Sequence, residues 1–74
     1  MDKQTRNNLI SRHVDLIAKV QILHDEVYKY SQGYNEALSG RVTDDAAQVL
    51  VHLGSATSYL MHARYSLGKA KNLI

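Results

Sequence analysis

Cysteine is absent from this chain of 74 residues, and so are proline, tryptophan and phenylalanine. The lack of cysteine excludes disulfide staples and thiolate metal sites, two devices that commonly hold so short a chain together. What remains is very regular helix packing or assembly with further chains. The lack of proline removes the strongest helix breaker, and the apolar content is mostly Leu, Ala, Val and Ile, so the composition reads as all-α. Asp, Glu, Lys and Arg are missing from residues 46–63, a stretch at the short end for a membrane span. Gln48, His52, Ser55, Thr57, Ser58 and His62 interrupt it, and no aromatic belt flanks both sides. Burial against other helices is the expected reason for the missing charge. The first residues, MDKQTRNNLISRH, hold no apolar core of signal-peptide type, which points to the cytoplasm.

What is present is periodic. In residues 46–74, Leu53, Leu60, Leu67 and Ile74 recur every seven, interleaved by Val49, Ala56, Ala63 and Ala70. The first half repeats the plan with Leu9, Leu16, Leu23, Tyr30 and Ala37, interleaved by His13, Val20, Val27 and Tyr34 and widened by Ile10, Ile17 and Leu38. Alternating steps of three and four put each set along one side of a long helix. Asp2 or Thr5 caps a first helix over about residues 3–39, and Gly40 supplies its left-handed terminator. Gly33 is a place where that helix could kink. A loop at 40–43 ends on Thr43, an N-cap followed by Asp44 and Asp45, for a second helix over about 44–73. So short a connection makes the helices antiparallel neighbours in one domain, 1–74. Antiparallel partners keep a constant sum of residue numbers, and a sum of 83 closes both heptads at once: Leu23 meets Leu60, and Val20 meets Ala63.

No catalytic, cofactor or metal motif occurs. The four histidines are never three or four residues apart, and a two-helix hairpin has no concave site of its own. His13 falls in the core register, whereas His24 beside Asp25 and Glu26 reads as a solvated helix edge. A second stripe on the later helix, Ala47, Val51, Gly54, Ser58, Met61 and Tyr65, is not used by the hairpin seam. Its glycine and serine at four-residue spacing suit close approach by another helix, which makes it the expected oligomer interface. Val14, Ile22, Tyr28 and Tyr59 also lie off the seam and are candidates for a partner surface, while Tyr30 and Tyr34 belong to the core.

The net charge of +2 is too small to argue for nucleic acid, but its distribution is lopsided. A hairpin gathers Lys3, Arg6, Arg12, Lys19, Arg64, Lys69 and Lys71 at its open end, against only Asp2 and Asp15. The loop end holds Asp25, Glu26, Glu36, Asp44 and Asp45 against Lys29 and Arg41. Such a basic cluster binds phosphates or complements an acidic cluster on a partner subunit. The expected molecule is an all-α antiparallel two-helix hairpin that dimerises head to tail into a four-helix bundle. It is read as a small non-enzymatic regulatory or adaptor protein with a protein partner and no cofactor. RNA or DNA binding through the basic end is the alternative, and a membrane-associated assembly subunit comes after it.

Overall fold

In the computed structural model, which describes residues 1–74, two helices fill nearly the whole chain: α1 (Lys3–Leu38) and α2 (Asp44–Leu73). α1 opens on Asp2, whose carboxylate accepts the Thr5 backbone N–H at 2.7 Å and the Thr5 hydroxyl at 3.1 Å. Ser39 already takes a left-handed φ of 50°, one residue before Gly40 at 80°, and its N–H donates to the Glu36 carbonyl at 3.1 Å. Two left-handed residues in succession turn the chain sharply, and Gly40 accepts that conformation without a side-chain clash. α2 opens on Thr43, whose hydroxyl accepts the Ala46 N–H at 3.1 Å, with Asp44 and Asp45 in the positive first turn. α1 stays helical through Ser31, Gln32 and Gly33, so the glycine does not interrupt it.

The helices pack against each other along their length as a rod of 58 × 15 × 12 Å. In α1 the positions turned inward are Ile10, His13, Ile17, Val20, His24, Val27, Ser31, Tyr34 and Leu38, at alternating steps of three and four. In α2 the seam series is Ala46, Leu50, Leu53, Thr57, Leu60, Leu67, Lys71 and Ile74, flanked by half-buried Ala47, Ser55, Ala56, Ala63 and Gly68. Matched by burial, the two series pair at residue numbers that add to 84, and His24 and Leu60 line one cleft together. The burial pattern is thus offset by one residue from the register expected from the heptads. The rows at His13 and Leu53 remain in the seam, but Leu16, Leu23 and Tyr30 are left 46, 47 and 62% exposed. His24, expected at a solvated edge, sits in the seam with its side chain only 20% exposed. The physical reason is that each helix carries three adjacent rows rich in apolar residues, and one neighbouring helix covers only two of them.

A single residue, Ala46, is buried, at 5% exposure. The surface of 5845 Å² exceeds the roughly 4,600 Å² typical of a folded monomer of this mass by about 1,300 Å². The radius of gyration is 17.2 Å, where a compact domain of this length has about 11 Å. Seam packing and capped helices hold the hairpin together, and a closed interior is missing.

Candidate functional site

Two broad faces of the rod carry the side chains that the fold leaves uncovered. The first is built from the residue immediately before one seam row in each helix: exposed Leu16, Leu23 and Tyr30 with half-buried Leu9 on α1, exposed Val49 and Ala70 with half-buried Ala56 and Ala63 on α2. In an antiparallel pair these two rows lie on the same side, because reversing a helix also reverses the sense in which its residues wind. Tyr30 is continuous with the seam through its ring, which stacks on Tyr34 with centroids 6.5 Å apart. Sequence reasoning placed these residues inside the hairpin, which fits half-buried Leu9, Ala56 and Ala63 but missed Leu16, Leu23 and Tyr30 as a surface. Their sevenfold spacing was the signal that marked them.

The opposite face follows the seam by one residue: Val14, Gln21 and Tyr28 on α1, Ala47, Gly54, Met61 and Gly68 on α2. Val51, Ser58 and Tyr65 extend it along α2. The stripe expected at an oligomer interface is thus gathered here, exposed except for half-buried Ala47, together with Val14 and Tyr28. Nothing lies within 4 Å of where a Cβ on Gly54 would stand. Ile22 and Tyr59 do not join this face: Ile22 lies on the back of α1, and Tyr59 borders the first face. The Arg64 guanidinium donates to the Gln21 amide oxygen and ties the two helices on this side.

The basic residues are split by the fold. Arg12 and Lys19 border the first face beside Leu16, while Arg64, Tyr65 and Lys69 line a surface hollow of about 420 Å³ with Ile17, Gly68 and Asn72. Lys69 Nζ stands 5.1 Å from the centre of the Tyr65 ring, and Arg6 Nε donates to the Ile74 carbonyl at 3.0 Å. Lys3 is exposed at the start of α1, and Lys71 is half-buried at the far end of the seam. No lysine or arginine lies within 4.0 Å of a carboxylate; the sole close charged contact is His24 Nδ1 to Asp25 Oδ1 at 3.2 Å.

That contact acts on Asp25 and orients the His24 ring. The His24 bond holds the Asp25 carboxyl below its ordinary range against the opposing effect of desolvation, with the Gln21 amide adding to it. A carboxylate only accepts, so the His24 proton sits on Nδ1, and Nε2 is left buried without a partner. His13 Nδ1–H donates to the Leu9 carbonyl at 3.2 Å, one turn back on the same helix. The cleft beside His24, lined by Val20, Gln21, Leu60, Met61 and Arg64, holds about 50 Å³, too little for a substrate-sized molecule. No three His, Asp or Glu side chains converge as a metal site would require, and no helix is long and apolar enough to cross a membrane. Comparison with known proteins finds no family model, no curated protein and no solved structure that matches this chain.

Proposed function

We propose that this chain is a small non-enzymatic regulatory or adaptor protein of the cytoplasm that works by helix-bundle assembly and protein–protein binding. The observation that carries this reading is the imbalance between apolar surface and interior, with one buried residue and two uncovered faces on a rod of capped helices. Uncovered apolar area of this extent on a water-soluble hairpin is relieved by association. Two faces on opposite sides divide the work: one for assembly, the other for a different protein. Capture from a cell extract by the tagged chain, before and after nuclease treatment, tests the reading. A protein that stays bound after nuclease, and is lost on Met61→Glu in the Gly54 face, is the expected result. Capture that vanishes with nuclease would reject it.

The second reading is binding of RNA or DNA, supported by the hollow in which Arg64 and Lys69 stand beside the Tyr65 ring and Asn72. Cations without carboxylate partners next to an exposed aromatic suit a phosphate with an adjoining base. A mobility-shift titration would show binding that falls steeply between low and physiological salt and is weakened together by Ala at Arg64, Lys69 and Lys71. Absence of salt-sensitive binding at micromolar protein eliminates this reading.

A further inference from the structure

Both helices direct their strongest apolar line away from each other. Rows at alternating three- and four-residue spacing lie about 50° apart around a helix. The line joining the two helices runs between the Ile17 and Val20 rows of α1, whereas the most apolar line runs between the Val20 and Leu23 rows. In α2 the apolar line is likewise offset by one row, toward Ala56 and Ala63. Each offset is about 50°, and both turn toward the same broad face. In a square array of four helices the centre lies 45° from the line joining any two neighbours. The two offset lines therefore converge at the place where such an array would have its axis, and two of its four walls are present.

We infer that a second copy of this chain covers the face of Leu16, Leu23, Tyr30, Ala56 and Ala63, head to tail, and that the bundle axis runs between the copies. This inference rests on the assembly reading above and identifies its partner. Completing the array takes two more antiparallel helices of the same length, which is what a second hairpin supplies. The product of the two longer extents of the rod, about 870 Å², is the projected outline of one broad face. That matches the roughly 800 Å² each partner contributes to a stable interface, and covering it removes most of the excess surface. Charge chooses the occupant and its direction. The row Leu9, Leu16, Leu23, Tyr30, Ala37 is symmetric in number about Leu23, so a twofold axis there lays α1 against its own copy in the opposite sense. On the border of the face, Lys19 of each copy then comes beside Glu26 of the other, and each basic open end meets an acidic loop end. Loops at one end would instead bring Asp44 and Asp45 near their own copies.

The chain has no cysteine, so single cysteines read the contact directly. Leu23→Cys and Met61→Cys are oxidised separately and run on a denaturing, non-reducing gel, and the wild-type mass is measured by sedimentation equilibrium. The expected result is a two-chain wild type, conversion of most Leu23→Cys to a covalent dimer, and Met61→Cys left as single chains. As a second arm, Leu16→Cys mixed with Tyr30→Cys should form the mixed dimer in preference to either self-dimer, which guards against disturbance at position 23. A two-chain wild type in which Met61→Cys links, or in which none of the face variants does, overturns the inference and leaves the assembly reading standing. A wild type that stays a single chain up to about 100 μM overturns both.

Discussion

His24 is the residue at which the seam is least well satisfied. Its Nε2 is buried with no partner, opposite Leu60, and leaving a buried polar atom unpaired costs about 1–3 kcal/mol. His24→Leu should therefore raise stability by about 1 kcal/mol, seen as a higher urea midpoint at unchanged slope. A lower midpoint would show that the imidazole contributes more than its desolvation takes away. Thr43→Ala removes the acceptor of the Ala46 N–H and should destabilise by about 1 kcal/mol. Asp2 adds a pH dependence at the other cap. The Thr5 N–H, and after it the Thr5 hydroxyl, hold the Asp2 carboxyl below its ordinary value of 3.8. A carboxyl lowered in the folded state stabilises fully above that ordinary value and loses its effect as pH falls through the folded one. Amide exchange at Gln4 and Thr5 should accordingly speed up below about pH 4 relative to the middle of α1, and Asp2→Asn should abolish the difference.

Among the elements, the helices themselves were legible and the phase of their packing was not. Asp2, Thr43 and Gly40 marked the ends by chemistry that acts within a few residues: a side-chain acceptor, a dipole, a left-handed φ. The seam is a choice between rows, and three neighbouring rows are rich in Leu, Val or Ala. Apolar content alone favours the pair of rows that includes Leu23 and Ala56, whereas a lone hairpin in the present register brings in His24, Ser31, Thr57 and Lys71. The choice depends on what covers the remaining row, and that is a property of the neighbours. The Gly54 stripe was read correctly as lying off the seam, yet one helix gave no view of which α1 residues would share its side. The two faces make opposite predictions for substitution. Gly54→Ala meets no atom and should stabilise α2 by about 1 kcal/mol in thermal unfolding. Leu23→Glu, which sets a charge at the centre of the other face, should leave the helical spectrum in place and halve the mass in solution, while Gly54→Leu keeps it.

At the scale of the molecule, assembly makes stability a function of concentration. The melting temperature of a two-chain bundle rises with the amount of protein, whereas that of an isolated hairpin does not. A dilution series over two decades, followed by circular dichroism, should move the midpoint by several degrees; a fixed midpoint would assign the hairpin a self-sufficient fold. Rim pairs such as Lys19 with Glu26 are exposed and worth at most about 1 kcal/mol each, so salt should shift the midpoint far less than dilution does. The position of Ala46, the one buried residue, bears on how the chain reaches this state. The register sets it opposite Leu38 across the turn, so it is covered by the first pair of facing residues to meet. Every later pair closes a longer loop, with Ile10 and Ile74 at the far end, and the entropy of closure grows with each step. The hairpin is thus wired to zip from its turn toward its open end. Ala46→Gly should slow refolding in nearly full proportion to its destabilisation, and Leu67→Ala should act chiefly on unfolding, a polarised transition state that stopped-flow chevrons of the two variants would reveal.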